Sequence, residues 1–163
     1  ALGCPLDVIL AKKITLPDNS ELAIGAVTAD GEVVWAPHRR MVNPPFNQYH
    51  EALEKAKDHA QAQWHEFSPT GFRVNPAGAI ALLVDDGIAT GMTMTAAVRS
   101  LRAQQAIQVW ICAPVAPPEL VPVMERIGDR VIILATPSPF NSVSRFYQKF
   151  PQLTNAEAMS YLQ

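Results

Sequence analysis

Apolar residues run unbroken through Ala79–Val84 and again through Val109–Val115. Runs of this length without alternation predict strands buried on both faces, as in a parallel sheet covered by helices. Between them the apolar spacing lengthens to a helical period. Met94, Ala97, Val98 and Leu101 share one face of a helix expected over Thr93–Gln104. Pro117-Pro118 opens a second helix reaching about Ile127, because proline suits a first helical turn. Val131–Ala135 is the last strand. The order strand, helix, strand, helix, strand predicts an α/β parallel sheet with right-handed crossovers.

The first half of the chain has a different rhythm. Leu6–Leu10 is a short apolar strand candidate, followed at once by Lys12-Lys13. Leu22–Val27 and Glu32–Trp35 flank Thr28-Ala29-Asp30-Gly31. An Asp-Gly pair can take the positive φ angles of a tight turn, so this segment predicts a β-hairpin. Ala36–Asn47, with three prolines, reads as loop. Leu53, Ala56, Ala60 and Trp64 fall on one face of a helix expected over Glu51–Trp64, and Ser68–Gly78 is a turn-rich connection. Two short helices, Ser142–Phe150 and Asn155–Leu162, close the chain.

Composition narrows the classes. The 163 residues are 48% hydrophobic and 17% charged, enough to build one domain with a substantial core. A net charge of −2 provides no basic excess, which argues against nucleic acid as the main partner. No apolar run approaches the ~18 residues of a membrane span. Cys4 and Cys112 have no metal-ligand spacing; each is expected as a small reduced core residue beside an apolar strand, favouring a cytoplasmic setting. His50, His59 and His65 are spread along the Glu51–Trp64 region and are expected to be solvated helix positions rather than metal ligands.

The chemistry concentrates in LLVDDGIATGMT, Leu82–Thr93. Two adjacent acids close an apolar strand and precede a short loop into a helix. Gly87 and Gly91 let the backbone bend and approach a ligand closely. Main-chain amides at residues 89–92 can converge on one anion at the helix N-terminus, with Thr90 and Thr93 adding hydroxyl donors. The loop lacks the Gly-Lys-Ser/Thr ending of a Walker loop, since Met92 stands where lysine would be. Carboxylates beside such a cradle suit a vicinal diol, so Asp85 and Asp86 with this loop read as a ribose 5-phosphate site. Taken singly, the acid pair could be a capping and turn device and the glycine-threonine loop merely a loop.

LLVDDGIATGMT closely resembles the phosphoribosyl pyrophosphate signature of type I phosphoribosyltransferases. LGCPLDVILAKKI, ELAIGAV, CAPVAPPEL and TPSPFNSVSRFYQKF are similar to a bacterial subgroup of that family, and the resemblance spans almost the whole chain. It implies one domain over residues 1–163, with a three-layer, mostly parallel sheet, a β-hairpin flap within 22–47 and a C-terminal extension over 136–163. By the same resemblance Asp85 and Asp86 would hold the ribose diol and stabilise an oxocarbenium-like transition state. Gly87, Ile88, Ala89, Thr90, Gly91, Met92 and Thr93 would bind the 5-phosphate, Lys12 or Lys13 the pyrophosphate, and Phe140 would stack on the base. Mg²⁺ would be carried mainly by the substrate, and a homo-oligomer would be expected.

The chain departs from the family in four places. Ala89 stands where enzymes for 6-oxopurines often carry an acid, which argues against that acceptor class. HAQAQWHEF keeps little of the positive charge expected of the helix before the signature, and Ser144 stands where the subgroup often has glycine. The first strand and the pyrophosphate loop that follows it precede LGCPLDVI in the family and are missing here. That leaves three expectations open: a fragment, a gap filled by a dimer partner, or a diverged protein that binds without catalysis.

Overall fold

Lys12 and Lys13, expected just beyond a strand, lie inside one. The computed structural model describes residues 3–17, 19–37, 46–67 and 74–161. The chain divides into two units, Ala1–Asn75 with Leu153–Gln163, and Pro76–Gln152. In the first, β1 (Ala11–Leu16), β2 (Asn19–Thr28) and β3 (Val33–Trp35) form an antiparallel sheet in sequence order. Pairing runs from Ala11↔Thr28 to Leu16↔Asn19, with register shifts on either side of Thr15. The expected strand at Leu6–Leu10 is therefore corrected. The ladder ends where the Ala29 N–H donates to the Leu10 carbonyl (2.9 Å), and the residues before it pair with no strand among the described residues. Cys4 in that unpaired segment is exposed rather than a core residue.

The hairpin at Leu22–Trp35 is present, joined by a turn over residues 29–32. Only Gly31 of the Asp-Gly pair takes positive φ, and the turn is closed instead by Thr28, whose hydroxyl accepts from the Glu32 N–H at 3.0 Å. α1 (Phe46–Phe67) extends beyond the Glu51–Trp64 helix read from the sequence. Ala52 and Ala56 face Ile14, Leu16, Ile24 and Val27, with Tyr49 and Leu53 packed beside them. Small residues four apart let the helix lie close on the sheet, and Trp35 meets Tyr49 edge to face at 6.1 Å. His50, His59 and His65 are exposed on this helix, as expected. Most of the Ala36–Asn47 loop and the start of the Ser68–Gly78 connection fall outside the described residues.

The second unit carries the parallel sheet: β4 (Ile80–Val84), β5 (Gln108–Val115) and β6 (Arg130–Ala135), adjacent in sequence order. Register runs Ile80↔Gln108 to Val84↔Cys112, then Trp110↔Arg130 to Val115↔Ala135. α2 (Met92–Ala103) joins β4 to β5 and buries Met94, Ala97, Val98 and Leu101, the stripe read from the sequence. α3 (Val121–Glu125), preceded by a 3₁₀ turn at Pro118–Leu120, joins β5 to β6. Pro122 cannot donate to the Pro118 carbonyl, so the helix expected from Pro117 divides into these two pieces.

The strands are not buried on both faces, and this corrects the reading of Ala79–Val84 and Val109–Val115. β5 alternates: Val109, Ile111, Ala113 and Val115 are buried, while Trp110 and Cys112 are half-buried. On β4 and β6, Leu82, Val84, Ile132 and Leu134 are exposed, Leu134 by 80%. Topology supplies the reason. Two successive crossovers of one hand between neighbouring strands put both helices on the same face. The other face, which includes Cys112, is left without a helix of this unit. C-terminal to β6, only a 3₁₀ turn at Val143–Phe146 replaces the helix expected over Ser142–Phe150. Tyr147 is extended, and the proline after Phe150 disfavours helical backbone there. α4 (Asn155–Ser160), in the first unit, starts with a Thr154–Glu157 capping box, and the Asn155 carboxamide oxygen accepts from Gln63 Nε2 (2.8 Å) on α1.

Candidate functional site

The loop between β4 and α2 starts as an extension of the sheet. The Asp85 N–H donates to the Cys112 carbonyl (3.1 Å) and the Ile88 N–H to the Val115 carbonyl (2.9 Å), so the chain leaves the carboxyl end of β4 still tied to β5. Gly87 lies where a Cβ would come within 2.6 Å of Val143 and 3.0 Å of Val115, so no side chain fits. Gly91 caps α2 with φ +72°, a left-handed conformation that glycine adopts without the cost borne by other residues. Its carbonyl accepts from both the N–H (2.8 Å) and the hydroxyl (2.7 Å) of Thr95, which anchors the first helical turn.

Past Ile88 the backbone donors are free. No main-chain N–H of Ala89, Thr90, Gly91, Met92 or Thr93 has a hydrogen-bond partner among the described residues. Ala89 and Thr90 are exposed and Thr93 half-buried, whereas Ile88 and Met92 turn their side chains inward. The Ile88 N–H is already committed to the sheet, so Ile88 contributes packing rather than a donor. Met92 can act only through its main chain. A set of free N–H groups at the positive end of a 12-residue helix can bind an anion.

Asp85 and Asp86 stand at the start of this loop. One Asp85 carboxylate oxygen accepts the Asp86 N–H at 3.0 Å. No Lys, Arg or His pairs with either carboxylate among the described residues. Both residues remain exposed at the surface, yet the surrounding chain strips enough water from each carboxyl to raise its pKa. For Asp85 this desolvation outweighs the Asp86 N–H, which acts in the opposite direction, and the neighbouring Asp86 charge raises it further. The pair can accept hydrogen bonds on one side of a cradle that can donate them.

The other residues read from the sequence are distributed differently. Lys12 and Lys13 sit in β1 of the first unit, while the acids and the cradle belong to the second. Phe140 is half-buried and stacks on Phe146 at 5.1 Å, which occupies one side of its ring. Two further residues, both in the C-terminal segment, reach the loop without having been read as site residues. Tyr147 donates its hydroxyl to the Asp86 carbonyl at 2.6 Å, and Val143 packs on Gly87. The only hint in the sequence is a polar-tipped aromatic in a run of phenylalanines.

Comparison with known proteins places the chain in a family. The family model described as "Phosphoribosyl transferase domain" matches residues 38–133. Two Mycobacterium tuberculosis proteins, "Putative phosphoribosyl transferase MT0597" from strain CDC 1551 and "Putative phosphoribosyl transferase Rv0571c" from strain H37Rv, are each 33% identical over 99% of this chain. The chain spans 37% of the length of these relatives. The crystal structure of TT1426 from Thermus thermophilus superposes with a TM-score of 0.78 at 29% identity, covering 99% of this chain and 76% of that one.

Proposed function

We propose, for a chain that belongs to the type I phosphoribosyltransferase family, that the β4–α2 loop binds the ribose 5-phosphate part of phosphoribosyl pyrophosphate and that the protein transfers it to a nitrogenous base. One observation carries the reading: in a single loop, two carboxylates stand beside a run of N–H groups at a helix N-terminus, and neither set has a partner of opposite kind among the described residues, apart from the Asp86 N–H on Asp85. The N–H groups of residues 89–93 would hold the phosphate, with the Thr90 and Thr93 hydroxyls beside them. Asp85 and Asp86 would accept from the two ring hydroxyls.

In the reaction, the bond from carbon 1 of the ribose to pyrophosphate breaks, the bond to the base nitrogen forms, and the nitrogen's proton is released to solvent. Positive charge develops on the ribose ring meanwhile. Two carboxylates held at the diol, in partly desolvated positions, stabilise that charge more strongly than water would. No cluster of three His, Cys, Asp or Glu able to cage a metal occurs among the described residues. Mg²⁺ would be carried mainly by the substrate, where it would neutralise the departing pyrophosphate, while Asp85 and Asp86 would remain acceptors for the diol. Phe140 would stack on the base.

A second reading, a non-catalytic phosphoribosyl pyrophosphate or nucleotide binder with a regulatory or scaffolding role, is favoured by one feature. The loop's own unit brings no cation to the acids among the described residues, and Lys12 and Lys13 lie in the other unit. Pyrophosphate release from phosphoribosyl pyrophosphate, measured with Mg²⁺ and a panel of purine and pyrimidine bases, separates the two. Base-dependent release is expected for the transferase. Calorimetric binding without release with any base assigns the binder, and no binding removes both. Sedimentation of the same sample measures the homo-oligomer expected of it.

A further inference from the structure

The geometry points to Tyr147 as a positioning residue for Asp86, an inference that rests on the ribose 5-phosphate reading of the loop. Its hydroxyl is 2.6 Å from the Asp86 carbonyl oxygen, across 61 residues of sequence. The bond reaches the main chain of the acid pair and leaves the Asp86 carboxylate free for a ligand. The ring is itself supported by Phe150, with centroids 5.1 Å apart. Four residues earlier, Val143 fills the space above Gly87, the next residue of the loop.

These contacts restrain one peptide. The Asp86–Gly87 linkage lies between the two sheet bonds that start and end this part of the loop, Asp85 to Cys112 and Ile88 to Val115. Neither bond uses the Asp86 carbonyl. Without Tyr147 the Asp86 backbone loses a restraint, and a change in its dihedrals that turns the Asp85–Asp86 linkage as well re-aims the Asp86 side chain. The free N–H groups lie beyond Ile88, after the chain is tied to β5 again, so they are insulated from that rotation. Loss of the Tyr147 hydroxyl should therefore weaken recognition of the diol and leave phosphate recognition intact. The selectivity of the site for ribose over deoxyribose thus depends on a residue that touches neither.

Tyr147→Phe keeps the ring and removes only the hydroxyl. Calorimetry with ribose 5-phosphate and 2-deoxyribose 5-phosphate, which lacks one hydroxyl of the diol, reads the two halves of the site separately. With the 2-hydroxyl assigned to Asp86, a roughly 3- to 10-fold loss of affinity for ribose 5-phosphate is expected, the scale of one net hydrogen bond, with affinity for the deoxy sugar unchanged. Adding Tyr147→Phe to Asp86→Asn should cost little more, because both act on the same carboxylate. Full retention of ribose selectivity in Tyr147→Phe overturns the inference, and so does an equal loss for both sugars, which would mean general loosening. If the unaltered protein binds neither sugar, the ribose 5-phosphate reading fails and this inference with it. That result comes from a different sample, so the two failures are distinguishable.

Discussion

Two connections leave the carboxyl end of the parallel sheet for the helical face, and they differ in what they can bind. The first, from β4, carries Asp85-Asp86, two glycines and, at residues 89–93, N–H groups without a partner among the described residues, and enters a 12-residue helix. The second, from β5, runs through Ala116-Pro117-Pro118 into a 3₁₀ turn and a five-residue helix with Pro122 in its first turn. Proline has no N–H, and the Ala116 N–H is turned to the Ala135 carbonyl at 3.3 Å. Both crossovers have the same topology, so topology alone does not make a site. The difference lies in which residues remove backbone donors and which leave them free.

The sharpest way to break the comparison is to spoil the first loop's backbone. Gly91→Val puts a branched residue at φ +72°, where a Cβ also meets the Met124 terminus at 2.7 Å. About 1–2 kcal/mol from the left-handed conformation and about 1–3 kcal/mol from overpacking should appear as lost stability in urea unfolding, together with loss of phosphate binding. An unchanged midpoint would mean that the loop tolerates a side chain there. Asp86→Asn should weaken ribose 5-phosphate binding by roughly 1–3 kcal/mol, the scale of a hydrogen bond to a charged group. Calorimetry showing unchanged affinity would remove Asp86 from the site.

The acids also make a prediction about pH. Folding raises the Asp85 pKa above its ordinary 3.8, chiefly by desolvation, so the folded state holds this proton more tightly than the unfolded chain does. The stability this contributes is fully present below 3.8 and is lost as pH rises through the folded value. Asp85→Asn, which keeps an acceptor for the Asp86 N–H, should therefore raise the denaturation midpoint at neutral pH and leave it unchanged in acid. A variant less stable than the parent at neutral pH would contradict this. Sugar binding needs ionised acids, so its affinity should fall with pH through a range displaced upward from that of ordinary carboxylates. The smallest effect belongs to the second connection. Pro118→Ala restores an N–H that still lacks a long helix behind it, and phosphate affinity should stay within about 0.5 kcal/mol of the parent's.

The sequence exposed the acid pair, the loop and the inward stripe of α2, because each is local: neighbouring residues suffice to state the strand end, the turn and the helix. It was weaker where partners decide. Leu6–Leu10 has the composition of a strand but no strand beside it among the described residues, and Lys12-Lys13 look like a strand end but pair with Val27 and Ala26. The run Ala79–Val84 is apolar enough for two buried faces, yet in this unit both crossover helices cover the same one. The contact of Tyr147 could not be read, since its partner lies 61 residues away and is a main-chain carbonyl, which carries no residue-specific signal.

The central claim is that one loop recognises a phosphate and a diol together. Titrating the unaltered protein with ribose 5-phosphate and with 2-deoxyribose 5-phosphate tests both halves at once. Measurable binding of each is expected through the shared phosphate, with the ribose form favoured about tenfold or more by the hydroxyl bonded to a carboxylate. Equal affinities, or no binding of either sugar, would contradict it.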